Sequence, residues 1–316
     1  MTVTRRIAVI GLVPLMLLSV LIALSIRSEL GVIDIIHTMR MNIAVFQATS
    51  DLIGNLQRER GRTAVYLSGG TTLNDVHGFQ KNTDNSLKNW QQQLPQVMLK
   101  DGGILKELEE IEGRLGQMRS TYAVQDLALK SREVAEYTQL IGLLMKLQKA
   151  IANSKTTKGF GKKLTSVILL EVARENAGLL RANVSSLLAQ KKPLTEEEFS
   201  RIIKLDSAVD ANLSSPALAL PEKAQQLLTQ GAASADWETA KQIYQHVLIH
   251  ATDGEFDYQA DDFLGPISNK VDDIAETVSL TLQDMVVLLD SIYATANSEL
   301  RVTVGAIMVS VGIVLI

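Results

Sequence analysis

The sequence predicts an all-α protein in which up-down helical bundles lie between two transmembrane helices. Hydrophobic residues make up 46% of the chain but aromatic residues only 4%, so the apolar content is mostly Leu, Ile, Val, Ala and Met, which suits helices better than sandwiches or barrels. Apolar residues recur at three- and four-residue intervals over long segments, as on the buried face of a helix. Uncharged apolar segments occupy both ends, where they predict membrane spans.

Composition also restricts the kinds of site and partner. The formal net charge is -4, with both signs interspersed, so no basic face is available to neutralise a phosphate backbone and a nucleic-acid partner is not expected. The chain has no cysteine, which rules out disulfides, zinc–thiolate sites and thiol catalysis.

The first apolar segment, residues 7–26, carries no charged side chain. About 20 such residues cross a hydrocarbon core of ~30 Å as a helix. Because Arg5 and Arg6 precede the segment, the positive-inside rule places residues 1–6 in the cytoplasm. A cleaved signal peptide is the alternative, but this run is longer than usual and lacks a clear small-x-small cleavage site.

The second apolar segment, residues 302–316, is also uncharged and predicts the start of a second transmembrane helix. Residues 27–301 are then extracytoplasmic, which in a bacterial inner membrane means a periplasmic domain. Since the sequence stops within this predicted span, we expect a cytoplasmic effector region in the complete protein.

The first long helix is predicted over Glu29–Leu67, which contains no proline. Ile53, Leu56, Thr63 and Leu67 keep the spacing of a buried stripe, with Arg60 at the remaining step. The paired glycines within residues 68–72 are predicted to end it, and the hydroxyl residues of this segment are predicted to cap the next helix.

Turn residues delimit the helices that follow. They are predicted at Phe79–Gln93, Ile104–Arg119, Ser131–Asn153, Lys163–Gln190, Glu196–Asn212, Pro221–Gln230 and Trp237–His250. The last helix begins near Ile267 and continues into the second span. Its apolar stripe comprises Val271, Ile274, Val278, Leu282, Met285, Leu289 and Ile292. Long helices with short polar connections favour up-down bundles, and some 275 residues suffice for two stacked ones.

Arg60 stands where the first helix should be apolar. A guanidinium buried there must meet an anion, since the loss of its hydration is otherwise costly. Two interpretations remain open: Arg60 pairs with a core glutamate such as Glu171 or Glu175, or it binds an anionic ligand. The neighbouring Gly61 would let another helix or a small ligand approach the backbone.

A second arginine cluster lies in another apolar-periodic helix. Arg174, Gly178 and Arg181 are spaced four and three residues apart and therefore share one face. Two guanidiniums beside a glycine form a suitable receptacle for a planar oxyanion. A solvated basic face explains the same spacing, and contact with Arg60 on a facing helix would favour the binding site.

His246 and His250 have the i, i+4 spacing of paired metal ligands, and acidic residues follow them. The glutamate that would follow the first histidine in a zinc-protease motif is missing. No nucleophile with a convincing base is apparent. We therefore expect neither a metal site, nor a cofactor, nor enzymatic activity.

The segment from Gln57 to Thr63, Gln-Arg-Glu-Arg-Gly-Arg-Thr, lies late in a first long helix leaving the membrane and resembles the opening motif of the nitrate- and nitrite-sensing domain family. The segment from Arg174 to Ala182 resembles that family's second motif. The resemblance extends over roughly Ile36–Ala294. It implies two stacked up-down four-helix bundles that hold nitrate or nitrite with arginines.

Transferred to this sequence, the resemblance implies that Arg60 and Arg181 contact the anion directly, with Arg174 and Arg58 as second choices. Arg62 departs from the family pattern, because many relatives have a small or apolar residue there. It either adds charge to the site or points outward, so the natural ligand could be an oxyanion other than nitrate.

The leading hypothesis is a homodimeric methyl-accepting chemotaxis receptor in which anion binding displaces helices and signals through the second span to cytoplasmic proteins. The same region would serve a sensor histidine kinase or a cyclic-dinucleotide enzyme. A structural alternative is a module that docks a periplasmic partner, binds no small molecule and uses Arg60 as an internal ion-pair partner.

Overall fold

The structure is a computed structural model that describes residues 3–69, 71–94, 106, 108, 110–121, 126–154 and 159–315. Most of these residues lie in helices. No strand occurs among these residues. The helices are α1 (Val3–Leu67), α2 (Leu73–Gln93), α3 (Ile111–Thr121), α4 (Lys130–Ala152), α5 (Phe160–Gln190), α6 (Glu196–Leu213), α7 (Glu222–Ala232), α8 (Ala235–Ile249) and α9 (Ala260–Leu315), with a 3₁₀ turn at Leu127–Leu129. The predicted all-α fold is confirmed, while the stacking of two four-helix bundles stays a prediction.

Helix α2 begins six residues before the predicted Phe79. Thr72 is its N-cap and accepts a hydrogen bond from the backbone of Asp75, whose carboxylate in turn accepts from the Thr72 backbone. This reciprocal pair satisfies two otherwise unpaired N–H groups at the helix start. The predicted capping role of the hydroxyl residues is confirmed, and the helix that they cap begins directly after Thr72.

Helix α9 begins seven residues before the predicted Ile267. Its start is fixed by Asp262, which accepts a hydrogen bond from the backbone of Gln259. Pro266 lies inside the helix. It removes one backbone donor without interrupting the helix.

One sequence prediction falls partly outside the described residues. The helix predicted over Ile104–Arg119 is described as α3 from Ile111 onward, and most of its predicted first turns lie outside. The connection between α4 and α5 is described from Gly159, which has a φ of +76° and directly precedes α5. Only glycine adopts such a conformation without a steric penalty.

The chain divides into two compact units. The first comprises residues 1–40, 155–157 and 286–316. Within it, Arg40 forms an ion pair with Asp290, and the His37 and Tyr293 rings meet edge to face at 5.9 Å. Among the described residues, none of the helices combines the length and apolarity needed to cross a membrane. The side chains of 1–16 and 309–316 lie outside the description, so the spans predicted at 7–26 and 302–316 stay predictions.

The second unit comprises residues 41–154 and 158–285. The stripe predicted on α1 is buried at every position, including the polar Arg60 and Thr63. One apolar cluster joins side chains of α5, α6, α8 and α9, among them Leu187, Val247 and Phe263. Helix α5 also carries buried charged residues, which bring a polar site into this unit's interior.

Candidate anion-binding site

Arg60 is 2% exposed and forms a two-pronged ion pair with Glu175 of α5. Its Nη1 lies 2.6 Å from Glu175 Oε1 and its Nη2 lies 3.2 Å from Oε2. Nη1 also donates to the Thr138 hydroxyl of α4 at 3.0 Å. Of the two glutamates that the sequence offered as partners, the structure places Glu175 against Arg60, so the charge of this guanidinium is compensated within the protein.

Gln57, one turn before Arg60, links this ion pair to a second one. Its amide nitrogen donates to Glu175 at 2.7 Å, and its amide oxygen accepts from Arg174 Nε at 3.1 Å. Arg174 is 5% exposed and pairs with Glu171 at 3.2 Å. The two predicted arginine clusters therefore meet through Gln57, which the sequence interpretation had not selected because a single amide carries no charge signal.

Two glycines make room for these guanidiniums. A Cβ on Gly54 would overlap Arg174 Nη2, whereas a Cβ on Gly178 would lie 3.6 Å from Arg60 Nη2, in ordinary contact. The gap predicted beside Gly178 is thus next to Arg60 itself. A Cβ added to Gly61 would meet no described atom within 4 Å, so the space beside this glycine is open and the expected approach of a small ligand stays a prediction.

Arg181 has no carboxylate partner within 4 Å among the described residues, in contrast to Arg60 and Arg174. Its Nη1 donates to the Ser268 hydroxyl of α9 at 3.0 Å. Burial lowers the pKa of Arg181, and the positive charge of Arg60 lowers it further, while Asp272 opposes both effects. A partly buried cation next to a second cation is a favourable position for an anion.

The remaining two arginines of the motif lie at its edge. Arg58 is exposed, and its Nη2 lies 3.9 Å from the Asp272 carboxylate, too far for a strong hydrogen bond. The Arg62 guanidinium stands 5.1 Å from the centre of the Phe79 ring on α2, in a cation–π contact. Arg62 is thus engaged with α2.

Glu59, between these arginines, forms a separate buried network. It is completely buried and accepts from the Tyr137 hydroxyl at 2.7 Å and from Arg119 Nε and Nη2 at 2.7 and 2.8 Å. Adjacent residues of α1, Glu59 and Arg60, thereby contact adjacent residues of α4, Tyr137 and Thr138. The sequence interpretation missed this network, because Arg119 and Tyr137 are 60 and 78 residues away along the chain.

The histidine pair gives no metal centre in the described part of the chain. The His246 and His250 rings lie 4.4 Å apart, and His250 Nδ1 is 3.3 Å from an Asp253 oxygen. No group of three or more His, Cys, Asp or Glu side chains there could hold a metal ion.

The charges of the site indicate which kind of ligand it favours. Glu175 compensates Arg60 and Glu171 compensates Arg174, whereas the partly buried Arg181 has no carboxylate within 4 Å among the described residues, so a monovalent anion would find an opposite charge there. The polar groups come from α1, α4, α5 and α9 and hydrogen-bond to one another. The fold and the site together define the class: an all-α helical domain with an arginine-rich polar core.

Comparison with known proteins identifies the family within this class. The family model described as nitrate and nitrite sensing matches residues 51–286, three quarters of the chain. The chain therefore belongs to the nitrate- and nitrite-sensing family, as its two motifs predicted. A search of curated proteins gave no match.

The fold is also similar to a solved structure, that of the NasR transcription antiterminator. The TM-score is 0.67 at 15% sequence identity, and the match covers 88% of this chain and 81% of that one. At this identity the likeness supports the helical fold alone.

Proposed function

We propose that the chain is the ligand-sensing region of a bacterial inner-membrane receptor and binds nitrate or nitrite through arginine side chains. The observation that carries the proposal is the partly buried, uncompensated guanidinium of Arg181 beside the charge of Arg60. A planar oxyanion accepts hydrogen bonds from guanidinium groups in their own plane. Membership of the nitrate- and nitrite-sensing family supports the choice of ligand.

In this proposal Arg181 and Arg60 contact the anion, and Arg174 and Arg58 complete the positive surroundings. The anion competes with Glu175 for Arg60 and so changes which groups hold α1 against α5. A ligand shifts a conformational equilibrium only by binding one arrangement better than the other. The two arrangements proposed here differ in how α1 and α5 are paired.

The domain is proposed to lie in the periplasm and to signal, as a homodimer, through the membrane helices to a cytoplasmic chemotaxis module. A sensor histidine kinase or a cyclic-dinucleotide enzyme is the alternative output for the same sensing region. In each case the region itself is proposed to bind a ligand and not to catalyse a reaction.

Calorimetric titration of the 316-residue chain with nitrate, nitrite and chloride tests the ligand assignment. We expect saturable binding of nitrate or nitrite, not of chloride, and loss of that binding in Arg181→Ala. Arg201→Ala is the matched control, because it removes the same charge from an exposed ion pair with Glu197 on α6. A folded wild-type chain that binds neither oxyanion would refute the proposal.

A docking module for a periplasmic partner is the second candidate, and the Arg60–Glu175 pair favours it, because an arginine already compensated by a glutamate needs no ligand. This candidate predicts no affinity for small anions. The titration therefore separates the two candidates.

A further inference from the structure

A polar cleft lies on α1 between α2 and α9, within the second unit. Its volume is about 500 Å³, and residues from α1, α2, α5 and α9 line it. That size is ordinary for small-molecule sites, which span about 300–1,000 Å³. Arg181 and Arg60, the residues proposed to contact the oxyanion, do not line the cleft, although Arg58 and Arg174 border both places.

The charged groups of the cleft are of both signs. Asp51 and Arg58 lie seven residues apart on α1, which places them two turns and about 10 Å apart along the helix. Burial raises the pKa of Asp51, and the charges of Arg174 and Arg58 oppose that shift. Both guanidiniums are thus within electrostatic reach of this carboxylate, yet no described cation lies within salt-bridge distance of it.

Arg174 enters the cleft over Gly54, between these two charges. Its described acceptors are Gln57 for Nε, Glu171 for Nη1 and the Ser50 carbonyl for Nη2, at 3.3 Å. A guanidinium has five N–H groups, two of them on Nη2. One Nη2 donor therefore lacks a described acceptor, on the side where Gly54 has no side chain.

The other walls are of two kinds. Helix α2 contributes Asn85 and Asn89, whose amides both donate and accept, and α9 contributes the buried apolar Val278 and Leu282. A free carboxylate in the cleft disfavours a simple inorganic anion, because like charges repel. A ligand with an ammonium group next to Asp51 and a carboxylate next to Arg58 and Arg174 would give each of these three side chains a partner of opposite charge.

We propose that this cleft is a second ligand site, which binds a small α-amino acid as its zwitterion. The ligand's ammonium group donates to Asp51, its carboxylate accepts from Arg58 and from Arg174 Nη2, and its side chain lies between the α2 amides and the α9 apolar wall. Gly54 is a positioning residue, because any larger residue displaces the Arg174 guanidinium.

Titration of the 316-residue chain with the twenty common L-amino acids, one at a time, tests the proposal. We expect saturable one-to-one binding of at least one of them, and a loss of about tenfold or more in affinity in Asp51→Asn, which removes a charge-assisted hydrogen bond without changing shape. The N-acetyl and the amide derivatives of that amino acid, which lack the ammonium and the carboxylate, should each bind at least tenfold more weakly.

Two glycine variants provide a matched pair. Gly54→Ala should weaken amino-acid binding by moving Arg174, whereas Gly61→Ala, on the same helix with open space around it, should not. Arg181→Ala should leave amino-acid binding unchanged, and Asp51→Asn should leave nitrate binding unchanged. Neither of these residues is shared by the two sites, so the two variants distinguish a failure of this proposal from a failure of the oxyanion site. No binding of any amino acid to the folded wild-type chain, or equal binding by Asp51→Asn, would overturn the proposal.

Discussion

Arg60 is a charged residue at a position where the pattern of α1 calls for an apolar one. The stripe on α1 requires burial at this position, and the structure resolves the conflict with Glu175 and Thr138. A buried ion pair of this kind adds little net stability compared with apolar residues, but removing one partner leaves an uncompensated charge. Arg60 is therefore required for stability as long as Glu175 is buried opposite it, whether or not Arg60 also binds a ligand.

Arg60→Ala is expected to lower the free energy of unfolding by about 3–5 kcal/mol, because Glu175 is left buried without its cation. The double variant Arg60→Met with Glu175→Met should recover most of that loss. Urea unfolding followed by circular dichroism measures both. Equal stability of Arg60→Ala and wild type would mean that the ion pair does not form.

Gly178→Ala should be tolerated, because the added Cβ lies 3.6 Å from Arg60 Nη2. Alanine is better than glycine inside a helix by roughly 0.5–1 kcal/mol, so the free energy of unfolding should rise by about that amount. A marked loss of stability in thermal unfolding would show that the arginines are packed more tightly against α5 than the structure indicates.

Side-chain caps set the starts of α2, α6 and α8. Helix α6 begins with Thr195, whose hydroxyl accepts from the Glu198 backbone at 3.2 Å, while Glu198 accepts from the Thr195 backbone at 2.8 Å. The same arrangement at Thr72 explains why α2 starts earlier than apolar periodicity alone predicted. Periodicity locates the buried face, and the caps set the ends.

Thr195→Ala should lower the free energy of unfolding by about 1 kcal/mol through loss of this cap. Thr165→Ala, an exposed mid-helix position on α5, is the control and should have little effect. Because the Thr195 backbone hydrogen bond lowers the pKa of Glu198, its contribution is present above the usual glutamate pKa and is lost as pH falls through the lowered value. Identical acid unfolding of wild type and Glu198→Gln would contradict this.

The sequence predicted the helical class of the whole molecule and the buried stripe of α1, because both follow from the spacing of apolar residues along the chain. It also predicted two arginine clusters on separate helices. It could not predict that Gln57 joins them or that Arg119 reaches Glu59, because residues 117 and 60 positions apart meet only through helix packing. The sequence offered two glutamates as partners of Arg60, and in the folded protein Arg60 pairs with Glu175.

Arg181 is partly buried, lies within electrostatic reach of Arg60 and has no carboxylate within 4 Å among the described residues, and we propose that nitrate binds there. A crystal structure of the chain grown with nitrate tests it most directly. We expect a planar anion within hydrogen-bond distance of the Arg181 guanidinium, on the side facing Arg60. A nitrate ordered elsewhere in the domain, with Arg181 still bound only to Ser268, would contradict the account.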